Sequence, residues 1–154
     1  MGRAPDSRLQ DCAVMVVEDE FFQADDLASA LGRAGARLVG PFATVEAALA
    51  ALERGEHVDA AILDTNLRGA AVTPVIAALT RRDIPYALAT GYDRDMLPAD
   101  WREAPVFQKP FEISALLEAI AELCCRRRQA GHGKGATDGA GPPGRGTVSA
   151  PRFM

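Results

Sequence analysis

The stretch AVMVVED, residues 13–19, decides the fold, because five apolar residues run directly into two carboxylates. A short and wholly apolar run is typical of a strand that is buried on both faces of a parallel sheet. Three later runs share this design: AAIL ends in Asp64, YALA in Thr90, and APVFQ in Lys109. Ligands gather beyond the carboxyl ends of strands in open parallel sheets, so these four ends predict one shared pocket.

Amphipathic segments separate the apolar runs from residue 13 to about residue 127, which predicts repeated strand–helix units and an α/β fold. A second strand is expected near residues 36–40. Helices are expected at residues 21–34 with Phe22 and Leu27 facing inward, at about 44–55, at about 73–82 with Thr73 as the cap, and after Phe111. The segment GYDRDMLPADWREAP, residues 91–105, contains Pro98 and Pro105, so its helix should be short or irregular.

The composition predicts one folded domain. A chain of 154 residues with 48% hydrophobic content can bury one ordinary core. We expect a flexible N-terminus at residues 1–10, the domain at residues 11–128, and a disordered tail rich in Gly and Pro at residues 129–154. No apolar stretch has the length of a membrane span, and the first residues lack the apolar region of a signal peptide. We therefore expect a cytoplasmic protein that does not bind membranes.

The charge is distributed unevenly along the chain. Six of the 17 basic residues and one of the 21 acidic residues lie at or after Arg126, so residues 1–125 hold 11 basic and 20 acidic residues and a net charge of −9. Nucleic-acid binding needs clustered Lys and Arg, and the folded domain is therefore not expected to bind nucleic acid. An acidic domain suits divalent cations better.

The residue types at the strand ends favour phosphoryl chemistry. Glu18, Asp19 and Asp64 supply the carboxylate oxygens that Mg²⁺ prefers, and three acids brought close together repel one another unless a cation intervenes. A carboxylate such as Asp64 can attack phosphorus to form an acyl phosphate. Lys109, the only lysine outside the tail, and the Thr90 hydroxyl could then stabilise the phosphoryl oxygens.

Four motifs in this order resemble the receiver domain of two-component response regulators. They are VVEDE (residues 16–20), LDTNLRG (residues 63–69), ATG (residues 89–91) and QKPF (residues 108–111). The resemblance covers roughly residues 11–127. It implies a flavodoxin-like, doubly wound sheet of five parallel strands in the order 2-1-3-4-5, here with a degenerate fourth helix.

The resemblance also implies roles for individual residues. Asp64 would be phosphorylated by a histidine kinase or a phosphotransfer protein, and Thr90 and Lys109 would hold the phosphoryl group. Mg²⁺ would bind Asp19, Asp64 and the backbone carbonyl of Asn66, with Glu18 acting through water. Asn66 and Tyr92 would tune the lifetime of the acyl phosphate or the output. These roles imply a single-domain regulator in phosphorelay signalling that acts on a downstream protein.

Three positions depart from the family pattern. Glu18 stands where the family usually has Asp, Arg68 replaces a proline of the phosphoacceptor loop, and Val106 stands where many receivers have an aromatic residue that moves with the switch hydroxyl. The stretch YALATGYD, with QKPF, is similar to a receiver subgroup with a Phe-Ala-Thr-Gly-Tyr-like signature. In such a protein the signal would pass through Tyr92 and the irregular segment after it.

Two other functions stay open from the residues. One is a receiver-like module that binds partners without taking up phosphate, if Glu18 and Arg68 disable the site. The other is a phosphatase of the haloacid-dehalogenase type, which also uses an aspartate nucleophile with Mg²⁺ and a lysine. That enzyme needs a second Asp as general acid where this chain has Asn66, and an amide cannot transfer the proton. We therefore expect a protein that catalyses only its own phosphorylation and dephosphorylation.

Overall fold

Five parallel strands form the centre of the protein. The computed structural model describes residues 8–67 and 69–139, with backbone only for residues 102 and 130–139. The strands are β1 (Ala13–Val17), β2 (Arg37–Phe42), β3 (Ala60–Asp64), β4 (Tyr86–Thr90) and β5 (Val106–Gln108). They pair in the order β2-β1-β3-β4-β5, with a separate two-stranded hairpin, Asn66–Leu67 with Ala70–Ala71, following β3. The predicted flavodoxin-like order 2-1-3-4-5 is confirmed.

Helices cover both faces of this sheet. They are α1 (Phe21–Arg33), α2 (Val45–Glu53), α3 (Thr73–Arg81) and the C-terminal α4 (Ile113–Gly139). Successive residues of β1 point to opposite faces: Met15 packs with residues of α2 and α3, whereas Val14 packs with residues of α1 and α4. Every residue of β1 and β3 is buried. This double burial explains why the runs before Glu18 and Asp64 are apolar throughout.

The predicted irregular helix between β4 and β5 is confirmed. Two short 3₁₀ helices, Arg94–Met96 and Ala99–Glu103, occupy this interval. Pro98 separates them and Pro105 precedes β5. Proline removes a backbone donor and clashes with the preceding helical turn, so no continuous α-helix forms here.

Two details of the helix predictions are wrong. Phe22 was expected on the inward face of α1, but its side chain is 72% exposed. At 100° per residue Phe22 lies about 140° around the helix from the buried Leu27, on a different face. Thr73 was expected to cap α3, but the cap is Val72 and makes no side-chain capping hydrogen bond. Pro74 in the first turn fixes the backbone for a helix without a polar cap.

The last helix is longer than expected. The chain divides into two compact units: the first ends at Cys124 and the second begins at Cys125. Helix α4 runs from Ile113 to Gly139, past residue 128 where the domain was expected to end. Residues 140–154 and residues 1–7 lie outside the described part of the chain, so the flexible terminus and the disordered tail stay predictions. Within the described residues, no helix combines the length and the hydropathy that a membrane span requires.

A buried aspartate fixes the sheet at its amino-terminal edge. Asp59 precedes β3, and its Oδ2 accepts a hydrogen bond of 2.9 Å from the backbone N–H of Ala13. Its Oδ1 lies 3.0 Å from Nε2 of the exposed His57. Because β1 and β3 pair with Val14 beside Ala60, Asp59 holds the register at the start of both strands. That register determines which residues meet at the opposite edge.

The central strands should set the stability of the domain. Leu88 of β4 is fully buried, whereas Leu38 of the edge strand β2 is 37% exposed. We expect Leu88→Ala to lower the free energy of unfolding by about 2–5 kcal/mol because it leaves a cavity. The same substitution at Leu38 should cost less than about 1 kcal/mol. Urea unfolding followed by circular dichroism measures both, and equal losses would contradict this assignment of the core.

Candidate functional site

The carboxyl ends of the strands bring the predicted side chains together. Glu18 and Asp19 follow β1, Asp64 ends β3, Thr90 ends β4 and Lys109 follows β5. In the parallel pairing, Asp64 lies beside Ala89 and Thr90 beside Gln108, so the polar ends are level across the sheet. All five residues stand at one edge, as the sequence predicted.

Lys109 joins two of the acids. Its Nζ lies 3.1 Å from Oε1 of Glu18 and 3.1 Å from Oδ2 of Asp64. Both carboxylates are buried, at 4% and 7% residual exposure. A buried carboxylate is costly unless it is paired, and a single ammonium group serves both here. Lys109 is itself anchored, since its backbone N–H donates to the carbonyl oxygen of Thr90 over 2.7 Å.

The local backbone also orients the two paired acids. The N–H of Asn66 donates to Oδ1 of Asp64 over 3.1 Å, and the N–H of Glu20 donates to Oε2 of Glu18 over the same distance. Glu20 in turn caps α1 by accepting from the N–H of Gln23. Each carboxylate thus has one oxygen on a backbone amide and the other on Lys109. This arrangement fixes the orientation of the reactive groups before any ligand binds.

The acidic residues can serve as metal ligands. Glu18, Asp19 and Asp64 each place one carboxylate oxygen within 4.8 Å of the other two. Oxygen donors of this charge suit Mg²⁺, which usually takes one or two protein carboxylates and completes its shell with water and phosphate oxygens. The donor set therefore fits the metal expected from the sequence.

The electrostatics of the site reflect burial and charge pairing. Burial is the main reason that the pKa of Glu18 lies above its ordinary value; the charge of Asp64 also raises it, while hydrogen bonds from Glu20 and Lys109 oppose the shift. Burial alone would lower the pKa of the Lys109 amine, but the hydrogen bond to Glu18 and the charges of both acids raise it above its ordinary value. Lys109 is thus a firmly cationic group beside a carboxylate that resists ionisation.

Thr90 has a partner that the sequence reasoning missed. The hydroxyl of Thr65 donates to Oγ1 of Thr90 over 2.8 Å, and both residues are buried. The N–H of Tyr92 donates to the same oxygen over 3.0 Å. The pairing of Asp64 with Ala89 places the next residues of the two strands side by side. A threonine directly after β3 and a threonine at the end of the neighbouring β4 were the signal that could have revealed this pair.

The residues of the expected output route differ in their surroundings. Tyr92 is 45% exposed, and Asn66 is also exposed. Val106 is half-buried and packs against the core on the side of α2 and α3. The side chain of Gln108 donates to Asp93 over 2.9 Å and so connects β5 to the segment after Tyr92. Arg68, the departure in the phosphoacceptor loop, lies outside the described residues.

Comparison with protein-family models and with curated proteins gives no match. Solved structures do match. The solution structure of SdrG from Sphingomonas melonis Fr1 is 42% identical, with a TM-score of 0.64 over 75% of this chain and 97% of SdrG. The BeF₃-activated conformation of SdrG from Pseudomonas melonis Fr1 is 43% identical, with a TM-score of 0.63 over 73% of this chain and 95% of that one.

A more distant structure has the same fold. A response regulator receiver domain protein (CheY-like) from Methanospirillum hungatei JF-1 is 22% identical, with a TM-score of 0.67 over 79% of this chain and 99% of that one. The likeness to SdrG spans nearly the whole of that protein at an identity well above what fold alone requires. The chain belongs to the receiver domains of response regulators.

Proposed function

We propose that this receiver is a single-domain response regulator that accepts a phosphoryl group on Asp64 in a Mg²⁺-dependent reaction. The observation that supports this most directly is the setting of Asp64. Its buried carboxylate is held between Lys109 Nζ and the N–H of Asn66, beside the acidic pair and Thr90. The related SdrG has a BeF₃-activated conformation.

The proposed reaction is a phosphoryl transfer from histidine to aspartate. A carboxylate oxygen of Asp64 forms the new P–O bond while the P–N bond of a phosphohistidine breaks, and the imidazole leaves with the electron pair and takes up a proton from solvent. Lys109 faces the reacting carboxylate and can neutralise charge on the phosphoryl oxygens. The Thr90 hydroxyl supplies a hydrogen-bond donor at the same edge. The backbone contact from Asn66 orients the nucleophile.

The metal would be held by Asp19 and Asp64, with Glu18 acting through a water molecule and the Asn66 carbonyl as a further ligand. When bound, Mg²⁺ supplies positive charge to the phosphoryl oxygens and offsets the repulsion among the three acids. The protein contributes the rigid placement of these oxygens at the ends of β1 and β3. Lys109, which pairs with two of the acids, keeps the cluster tolerable without the metal.

The partners follow from the chemistry. We propose a histidine kinase or a phosphotransfer protein as donor and a downstream protein as the receiver of the signal. Asn66 and Tyr92 would tune the lifetime or the output, since both are exposed within two residues of Asp64 and Thr90. The reaction would take place in the cytoplasm, and the protein would not be an enzyme that acts on external substrates. Asn66 at the position of the general acid argues against a phosphatase.

Phosphorylation should depend on the carboxylate of Asp64. With a small acyl phosphate and Mg²⁺, intact-mass measurement should show one phosphoryl adduct on the wild type, stable in acid and labile in base. Asp64→Asn keeps the shape of the side chain but removes the nucleophilic oxygen, and it should show no adduct. Asp25→Asn removes an equal charge from an exposed position on α1 and should be modified like the wild type.

The same assay separates the rival functions. Continued release of phosphate from many monoesters would identify a phosphatase. A wild type without any adduct, in the presence of Mg²⁺, would leave only a module that binds partners without phosphate. A chelator added before the acyl phosphate should prevent formation of the adduct, because the metal is proposed to assist the transfer.

Glu18 should couple stability to pH and to metal. Because its pKa is raised in the folded state, the folded protein holds this proton more tightly than the unfolded chain, and ionised Glu18 lowers stability. In a chelator at pH 7, Glu18→Gln should unfold at a higher temperature than the wild type. The difference should shrink as the pH falls below the ordinary carboxyl pKa, where Glu18 is protonated in both states.

Saturating Mg²⁺ should reverse the advantage of this variant. Ligand at about 100 times its dissociation constant stabilises a protein by about 2.7 kcal/mol, and Glu18→Gln should gain clearly less than the wild type. Calorimetry with and without Mg²⁺ measures both effects, with Asp25→Asn as the control for general screening. An equal gain in Glu18→Gln and the wild type would place the metal away from Glu18.

A further inference from the structure

The hydroxyl of Thr65 has no role in the chemistry described so far. Thr65 follows the phosphoacceptor directly, and 5% of the residue is exposed, while Thr90 is completely buried. Their two Oγ1 atoms lie 2.8 Å apart. Burying a hydroxyl costs free energy unless the hydroxyl is hydrogen-bonded, and an apolar side chain of similar shape would avoid this cost. The contact of Thr65 with the hydroxyl of Thr90 needs an explanation.

Two hydrogen bonds occupy both acceptor positions of the Thr90 hydroxyl, so only its hydrogen remains to be donated. A hydroxyl has one hydrogen to donate and two lone pairs that accept. The N–H of Tyr92 can only donate, so it fills one acceptor position of Oγ1, and Thr65 fills the other. Because Thr65 is the donor in this pair, the hydrogen of Thr90 is not used in it. That hydrogen is available to a ligand at the end of β3.

We propose that Thr65 is a positioning residue that commits the hydrogen of Thr90 to the phosphoryl group on Asp64. This rests on the proposed function of Asp64. Thr65 donates to Thr90, and Thr90 donates to a phosphoryl oxygen, so that the two hydroxyls form a chain toward the charged group. A chain of hydrogen bonds ending on an anion polarises and strengthens each member. Thr65 thereby acts through Thr90 and has no contact of its own with the phosphoryl group.

Without Thr65, the Thr90 hydroxyl would keep one acceptor position open. Its orientation would then be set by the Tyr92 N–H alone, and the hydroxyl could turn its hydrogen away from the phosphoryl group. Thr65→Val removes the donor with little change in shape, whereas Thr65→Ser retains the donor. The two variants form a matched pair, because both alter the methyl packing only slightly and differ in the hydroxyl.

The test measures binding of beryllium fluoride with Mg²⁺ by isothermal titration, as a mimic of the phosphoryl group on Asp64. Thr65→Val should bind roughly two- to tenfold more weakly than the wild type, the range expected for one net hydrogen bond, and Thr65→Ser should restore most of the affinity. In a Thr90→Ala background the Thr65→Val change should have no further effect. Unfolding midpoints of all variants verify that they are folded.

The outcomes distinguish this proposal from the proposed function. No Asp64-dependent binding of beryllium fluoride and no phosphoryl adduct in the wild type would overturn both. Normal binding in the wild type and equal affinity in Thr65→Val would overturn the role of Thr65 alone. An equal weakening of the Thr65→Val variant with and without Thr90 would overturn it too, because Thr65 would then act by another route.

Discussion

The ion pairs of Lys109 hold the functional edge of the domain together. The ammonium group lies 3.1 Å from both Glu18 and Asp64 and so links the end of β5 to the ends of β1 and β3, across the intervening β4. Parallel strands necessarily place their carboxyl ends at one edge, and the acids that would bind a cation therefore face each other inside the protein. A single half-buried cation, Lys109, makes this edge compatible with folding.

The burial that positions these carboxylates for a ligand also costs stability. The raised pKa of Glu18 indicates that its environment does not fully repay the burial of its charge. The amide contacts from Asn66 and Glu20 nevertheless hold both carboxylates in place. An unfavourable buried charge of this kind is tolerated at functional sites because the rest of the fold determines the geometry. Here that support comes from β1 and β3, whose residues are buried on both faces.

The sequence predicted the sheet and the convergence of five site residues because both follow from short-range patterns. Apolar runs specify buried parallel strands, and a side chain just beyond a strand has a predictable place. Contacts that depend on register were harder to foresee. The Thr65–Thr90 hydrogen bond needs the pairing of Asp64 with Ala89, which no local pattern reports. Phe22 was misplaced for a related reason, since the inward face of α1 is set by packing, not by hydrophobicity alone.

The surroundings of Thr90 determine how the site can communicate with the surface. Its Oγ1 accepts from the N–H of Tyr92, so a movement of the hydroxyl is coupled to the backbone of the segment that follows β4. That segment consists of 3₁₀ helices and is tied to β5 by the contact between Gln108 and Asp93. Val106 offers no aromatic ring that could turn into the space beside Thr90. The proposed signal would therefore pass from the carboxyl ends of the strands to the surface through the backbone of Tyr92, in place of an aromatic rotamer change.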